Sequence, residues 1–161
     1  MKNKNIIDRF RGALLGLAVG DALGTPLEFK KPGSFEPING MIGGGVWQLK
    51  PGQWTDDTSM ALCLAESLIE CKEFDPTDQL ERYVKWYRTG HLSSTGSFFD
   101  IGSTVRNSLW EFLKSGEPYR EKPDQMSAGN GSIMRLASVP MFYVNEPLEV
   151  FTYAALSSKT T

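Results

Sequence analysis

The residues best suited to chemistry begin with a run of oxygen-bearing side chains, Thr55-Asp56-Asp57-Thr58-Ser59. Two adjacent carboxylates flanked by hydroxyls form a compact cluster of oxygen atoms, and hard cations such as Mg²⁺ or Mn²⁺ prefer oxygen ligands. The same acids could instead only neutralise the positive end of a helix, because acids are common in first turns. The pattern therefore predicts either a metal-binding cluster or an ordinary helix start, with Thr55 as its capping residue.

Three further acids could take part in the same chemistry. Asp21 lies near the end of a predicted helix, where negative charge opposes the helix dipole and needs a basic group, a backbone cap or a metal as its partner. Glu28 lies in the loop beyond that helix. Asp100 precedes another predicted helix, so it could act in chemistry or simply cap that helix.

A glycine-rich stretch at residues 127–132, Ser-Ala-Gly-Asn-Gly-Ser, precedes a short predicted helix. Its backbone N–H groups could approach an anion at the helix start, although a turn without a ligand has the same composition. The stretch lacks the Lys-Ser/Thr pair of a nucleoside-triphosphate loop, and no dinucleotide-type G-x-G-x-x-G follows a strand. Hydrolysis of nucleoside triphosphates is therefore disfavoured.

The composition limits the possible partners and location. A length of 161 residues predicts one domain, and a net charge of −2 provides no basic surface for nucleic acid or an anionic membrane.

Cys63 and Cys71 lie about 12 Å apart along one predicted helix, so they cannot pair. With His91 as the only histidine, a zinc site has too few ligands. We therefore expect a reducing, cytoplasmic location.

The amino-terminal region tests that expectation because it superficially resembles a signal peptide. Lys2 and Lys4 precede a run of small and apolar residues at 12–20. Charged residues interrupt the approach to this run, and it is too short to span a membrane. Secretion is therefore disfavoured.

Apolar residues recur at three-to-four spacing in six segments, and no alternating strand pattern occurs, so the sequence predicts an all-α fold. The predicted helices cover about 5–23, 56–72, 76–89, 105–115, 133–139 and 146 onward. Glycines repeat every fourth residue at 12, 16 and 20, which predicts close packing of another helix on that side. The long irregular stretch from Thr25 to Trp54 is typical of a functional loop.

The aromatic residues admit two interpretations. Tyr83, Trp86 and Tyr87 have helical spacing and are predicted to lie in the core. Phe98 and Phe99 could stack on a flat ligand, but core packing is the better explanation of them. His91 follows the glycine that ends the third predicted helix and needs no role beyond a turn.

The motifs, in this order, resemble the ADP-ribosylglycohydrolase family, and the resemblance covers most of the chain. They occupy residues 9–14, 20–24, 26–28, 54–58, 100–102 and 129–135. The resemblance implies an all-α fold with a two-metal centre of Mg²⁺, or sometimes Mn²⁺. Such a centre cleaves the N- or O-glycosidic bond between ADP-ribose and a modified side chain. The substrate would be an ADP-ribosylated protein or a small-molecule ADP-ribose conjugate.

The resemblance also assigns roles to individual residues. It implies that Thr55, Asp56 and Asp57 bind metal and that Asp100 and Glu28 are catalytic. Asp100 would contact the substrate ribose as a base, and Glu28 would lie at the metal and substrate in a loop that can move. The resemblance further implies a loop around the phosphates or ribose, formed by Ser127, Gly129, Asn130, Gly131 and Ser132.

The sequence departs from the family pattern in one respect. Family members are roughly twice this length by ordinary domain sizes, and their second half carries an Asp-x-Asp-Thr/Ser motif that does not occur here after Asp100. We therefore expect residues 1–161 to form the N-terminal part of the fold, with apolar faces left exposed. Activity would then need self-association or a complementing C-terminal chain.

Two alternatives remain at this point. A non-catalytic relative would bind ADP-ribose, or act structurally, with an incomplete metal site. Another metal-assisted hydrolase would act on a free nucleotide or glycoside.

Overall fold

The computed structural model describes residues 2–119 and 128–161, with side chains from residue 5 onward. The elements are α1 (Lys2–Gly24), a 3-10 turn (Thr25–Leu27), α2 (Asp56–Cys71), α3 (Pro76–Thr89), α4 (Ser103–Ser115), α5 (Gly131–Met134), α6 (Ser138–Phe142) and α7 (Pro147–Ser158). In these residues the only β pairing is an isolated bridge between Gly44 and Leu49. The all-α prediction is confirmed.

Local signals explain where α3 and α4 begin and end. Asp75 caps α3 because its side chain accepts hydrogen bonds from two backbone N–H groups of the first turn. Gly90 and Gly116 end α3 and α4 in the left-handed conformation, which glycine adopts without steric cost. These boundaries agree with those predicted from the sequence.

The core forms around α2, which contacts α1, α3, α5 and α6. One face of α2 is fully buried, and it packs with side chains of α3, α4 and α6. Those core residues are Met60, Cys63, Leu64 and Leu68 of α2, Leu80, Tyr83 and Trp86 of α3, Leu109 of α4 and Val139 of α6. The predicted core positions of Tyr83 and Trp86 are correct, and Tyr87 packs against the same core while half-buried. Helix α2 is thus packed from several sides.

The predicted fifth helix at 133–139 is wrong in its extent. The segment forms two short helices, α5 and α6, separated by Arg135–Ala137, and Pro140 lies inside α6 rather than after it. Proline is tolerated there because it occupies the first turn, where its missing N–H has no helical partner. The helix predicted from 146 onward is α7, which ends at Ser158 before the last residue.

Arg135 explains why the chain turns between α5 and α6. Its guanidinium is fully buried and donates hydrogen bonds to the Gly131 carbonyl at 2.6 Å and the Ser157 carbonyl at 2.7 Å. It also donates to the hydroxyls of Thr160 and Thr161 and lies over the Tyr83 ring. These contacts tie α5 to the end of α7, and burial lowers the pKa of Arg135.

Helix α1 leaves most of its side chains exposed or only half-buried. Of its side chains from residue 5 onward only Ala22 is buried, whereas Leu15 is 64% and Val19 48% exposed. A methyl group added at Gly12, Gly16 or Gly20 would meet no atom within 4 Å outside the helix itself. The helix predicted to pack on this ridge is therefore absent from the described part of the chain.

No helix among the described residues is both long enough and apolar enough to cross a membrane.

Candidate functional site

The site is built where the end of α1 meets the start of α2. Asp21 lies in the last turn of α1, and its carboxylate accepts hydrogen bonds from the backbone N–H groups of Thr55 at 3.0 Å and Thr58 at 3.1 Å. It also accepts from the hydroxyls of Thr55 at 2.8 Å and Thr58 at 2.7 Å. Of the three partners that the sequence allowed for Asp21, the structure thus shows a backbone cap.

Thr55 occupies the N-cap position of α2, but its side chain makes no capping hydrogen bond. The prediction that it caps the helix is therefore wrong in its chemistry, because Asp21 accepts the N–H that a cap would satisfy. Thr55 is buried, and its hydroxyl lies 2.8 Å from Asp21 Oδ1 and 3.3 Å from Asp57 Oδ2. The hydroxyl thus lies between two carboxylates.

Four further carboxylates interact electrostatically at this place. Burial raises the pKa of Asp56 to about 7, with added repulsion from Asp100, Asp57 and Asp21. Burial likewise raises the pKa of Asp57, Asp100 and Glu28, and their negative neighbours add to the rise. The structure therefore brings the predicted residues Glu28, Asp56, Asp57 and Asp100 together with Asp21.

Asp100 does not cap α4. The N-cap of that helix is Gly102, without a side-chain hydrogen bond, so the capping alternative is wrong. Freed from that role, the half-buried Asp100 contributes its charge to the carboxylate cluster, as its repulsion of Asp56 and Glu28 shows.

Trp47 is a residue of the site that the sequence reasoning missed. Burial raises the pKa of Glu28 and Asp100, and the nearby indole N–H of Trp47 partly offsets the rise for both. The buried Nε1 lies near these two carboxylates but meets neither of them in full hydrogen-bond geometry. The Trp47 ring packs on Phe99 with centroids 5.9 Å apart. Its position in a loop of irregular sequence offered no periodic signal.

The loop that carries Trp47 is held against the 3-10 turn that precedes Glu28. Gly45 has φ +69°, and a Cβ there would lie 2.7 Å from the Thr25 carbonyl oxygen. Only glycine permits both this conformation and this approach. A cleft of about 290 Å³ opens beside the turn, lined by Gly20, Asp21, Gly24, Thr25, Leu27, Glu28, Thr55 and Asp57.

The predicted phosphate or ribose loop lies at the start of α4. Gly131 is buried, and a Cβ there would meet Val105 at 2.7 Å, whereas Gly129 lies beside Thr104. Asn130 is exposed and Ser132 half-buried. Ser127 lies outside the described residues. The loop thus packs against the first turn of α4. Because α4 begins three residues after Asp100, the loop lies on the same side of the molecule as that acid.

Two other expectations can be compared with the structure. His91 does more than occupy a turn, since its Nε2 lies 2.7 Å from Glu66 Oε2, which also pairs with Arg82 at 2.6 Å. Phe98 packs in the core against Trp86 and Tyr87. Of the two phenylalanines considered for ligand stacking, Phe99 packs on the Trp47 ring, whose indole N–H lies near the carboxylates of Glu28 and Asp100.

The donor set fits a hard divalent cation by its chemistry. It consists of carboxylate and hydroxyl oxygens, and the pKa values of Asp56 and Asp57 are raised first by burial and then by negative neighbours, both of which a cation would offset. Within residues 2–119 and 128–161, no three acidic, histidine or cysteine side chains lie close enough together to hold a metal ion.

Comparison with known proteins places this geometry in context. A family model described as ADP-ribosylglycohydrolase matches residues 2–161. The chain is 50% identical over 136 residues to the ADP-ribosylarginine hydrolase Tri1 of Serratia proteamaculans, covering 84% of this chain and 37% of that protein. It is 34% identical over 168 residues to the ADP-ribosyl-[dinitrogen reductase] glycohydrolase of Rhodospirillum rubrum, covering 100% of this chain and 53% of that protein.

A solved structure shows the same fold. The chain matches an ADP-ribosylglycohydrolase-related protein complex with a TM-score of 0.83 and 44% identity, over 98% of this chain and 50% of the other. The chain therefore spans about half the length, or less, of these relatives.

Proposed function

Because the chain belongs to the ADP-ribosylglycohydrolase family, we propose that it forms the metal-binding half of a hydrolase that releases ADP-ribose from a modified acceptor. The observation that carries this proposal is the electrostatic interaction among the carboxylates of Glu28, Asp56, Asp57 and Asp100, of which Glu28 and Asp57 line the cleft at the start of α2. Catalytic carboxylates of raised pKa are typical of enzymes that cleave glycosidic bonds.

The acceptor that we propose is an ADP-ribosylated arginine. This choice is supported by relatives at 50% and 49% identity that are named ADP-ribosylarginine hydrolases. The substrate would be a modified protein or a small conjugate that carries the same linkage.

In the proposed mechanism, Thr55, Asp56 and Asp57 would hold Mg²⁺ or Mn²⁺. When bound, the cation supplies positive charge that orients ribose hydroxyls and lowers the pKa of water. Asp100 or Glu28 accepts a proton from the attacking water, and burial brings the pKa of both closer to the working range of a general base. The water oxygen bonds to the anomeric carbon, the glycosidic bond breaks, and the proton passes to the leaving acceptor.

The surrounding carboxylates also fit the charge that develops in this reaction. Positive charge accumulates on the ribose as the glycosidic bond breaks, and fixed negative groups stabilise it. The loop containing Gly129, Asn130, Gly131 and Ser132 would bind the phosphates or ribose through its N–H groups.

We further propose that a segment equivalent to the second half of the relatives completes the metal shell. This is supported by the 50% coverage of the solved relative and by the exposed apolar face of α1. A cytoplasmic location is supported by the two free thiols, Cys63 and Cys71.

The test measures ADP-ribose release from ADP-ribosylarginine with Mg²⁺ and then with excess chelator. The chain is assayed alone and mixed with the C-terminal half of the R. rubrum relative. We expect chelator-sensitive release in the mixture, its loss in Asp57→Asn, and its retention in the control Asp75→Asn. ADP-ribose affinity without release in any mixture would instead favour a non-catalytic binding relative.

A further inference from the structure

Asp21 stands apart from the predicted ligands, because its carboxylate is occupied by donors from another helix. It receives two backbone N–H groups and two hydroxyls from the first turn of α2 and its cap residue. An ordinary cap is local, as at α3, where Asp75 accepts from residues two and three positions later. At α2 the cap instead comes from 34 residues away.

We infer that Asp21 is a positioning residue that fixes the Thr55 hydroxyl in the orientation needed to bind a divalent cation. A carboxylate has no proton to give, so Thr55 must donate its single hydroxyl hydrogen. The shorter contact, 2.8 Å to Asp21, takes that hydrogen. The lone pairs of Thr55 Oγ1 are then available on its other side.

The remaining contact of Thr55 shows where those lone pairs point. Asp57 Oδ2 lies 3.3 Å from Thr55 Oγ1, and with the hydrogen directed at Asp21, two acceptor oxygens face each other. Neighbouring oxygens around a hard divalent cation lie roughly 2.9–3.4 Å apart, given metal–oxygen distances of about 2.0–2.4 Å. The inference rests on the proposed function, since it assumes that Thr55 and Asp57 bind such a cation.

The backbone contacts of Asp21 strengthen this assignment. By capping the N–H of Thr58, Asp21 also fixes the first turn of α2, which carries Asp56 and Asp57. One side chain therefore sets both the rotation of a hydroxyl ligand and the position of two carboxylates. Partners of this kind commonly change metal affinity by about 10–100-fold when they are removed.

The experiment compares Asp21→Asn and Asp21→Ala with the matched cap variant Asp75→Ala. Binding of Mn²⁺ alone is measured by electron paramagnetic resonance on the 161-residue chain, and amide hydrogen exchange at Thr55 and Thr58 is measured in chelator. We expect about a 10-fold or greater loss of Mn²⁺ affinity in both Asp21 variants. Asp75→Ala should keep the affinity of the unmodified chain even where it lowers the melting temperature.

Two outcomes distinguish a failure of the inference about Asp21 from a failure of the proposed function. Unchanged Mn²⁺ affinity in both Asp21 variants would overturn the positioning role while leaving the proposed hydrolase intact. If the unmodified chain binds no Mn²⁺, the metal part of the proposed function fails for this chain, and amide exchange decides the role of Asp21. Faster exchange of Thr55 and Thr58 in Asp21→Ala would then reduce Asp21 to a structural cap and overturn its role toward a cation, and unchanged exchange would refute both roles.

Discussion

The raised pKa of Asp56 determines how the metal-free protein responds to pH. In the folded chain this carboxyl keeps its proton up to about pH 7, mainly because it is buried, whereas its ordinary pKa is 3.8. The folded state therefore binds more protons between these two values, and the free energy of unfolding falls as pH rises through that window.

Replacing Asp56 by Asn should consequently stabilise the metal-free chain at pH 8. Asn resembles the protonated acid, so we expect a gain of about 1–3 kcal/mol in the free energy of unfolding. The gain should shrink toward pH 4, where Asp56 of the unmodified folded chain is protonated. Urea denaturation in chelator at several pH values measures the gain, and a loss of stability at pH 8 would mean that the ionised Asp56 carboxylate is not destabilised in the folded chain.

Single residues also show how far sequence reasoning extends at this scale. Glu28, Asp56, Asp57 and Asp100 were found from residue type and from the family resemblance, and the structure brings them together. The hydrogen-bond partners of Asp21 could not be found this way, because they lie 34 or more residues away and depend on how α1 meets α2. Trp47 was missed because its role depends on the path of an irregular loop.

At the scale of elements, the two glycines that end α3 and α4 provide a matched pair. Both have positive φ and both donate a capping hydrogen bond of 2.8 Å. A Cβ at Gly90 would lie 2.5 Å from the Ser97 backbone, whereas one at Gly116 would meet nothing within 4 Å. The two sites thus differ in packing and not in backbone conformation.

We expect Gly116→Ala to cost about 1 kcal/mol of stability, which is the strain of the left-handed conformation alone. Gly90→Ala should cost at least about 1–2 kcal/mol more, since the loop at Ser97 must move. Thermal unfolding of both variants checks this. Equal losses of stability in the two variants would show that the loop at Ser97 can move without an energetic cost.

Arg135 holds α5 and α7 together, and its loss should be costly. Arg135→Met removes the donors to the carbonyls of Gly131 and Ser157 and leaves buried acceptors unpaired. We expect a loss of about 1–3 kcal/mol, the usual cost of leaving buried acceptors without their donor.

Arg135→Lys separates charge from geometry. Lysine keeps the charge but lacks the planar fork that reaches both helices, so we expect it to recover only part of the stability. Urea denaturation ranks the three proteins, and a fully stable Arg135→Lys variant would show that charge alone suffices.

These elements also show why some boundaries could be predicted and others could not. Helix α3 was located correctly because Asp75, Pro76 and Gly90 act within one turn of its ends. The break between α5 and α6 depends on Arg135 reaching residues 22–26 positions away. Local spacing of apolar residues cannot report such a contact, so the sequence suggested one helix.

At the scale of the whole molecule, the exposed face of α1 should govern association. Leu15 and Val19 lie on the same side of α1 and next to the open glycine ridge. We expect the combined Leu15→Glu and Val19→Glu variant to weaken binding to the C-terminal half of the R. rubrum relative, because charge would be buried at the contact. Ile69→Glu, at an equally exposed position on α2, is the control.

Analytical ultracentrifugation of the mixtures measures this association. Binding that is unaffected by the α1 variant would place the contact elsewhere. A stable dimer of the unmixed chain that the α1 variant abolishes would instead identify a second copy as the occupant of this face.

The long-range cap on α2 also has a consequence for how the protein folds. Helix α3 can complete its first turn from local residues, but α2 cannot until a chain segment of 34 residues has closed and delivered Asp21. Cap removal at Asp75 should therefore slow folding, while removal at Asp21 should mainly speed unfolding. The start of α2 then becomes ordered late, and the carboxylates are forced together only in the step that also brings α1 into place. A partly folded chain would thus carry the acids without the full electrostatic repulsion, and assembly of the site would follow commitment to the native state.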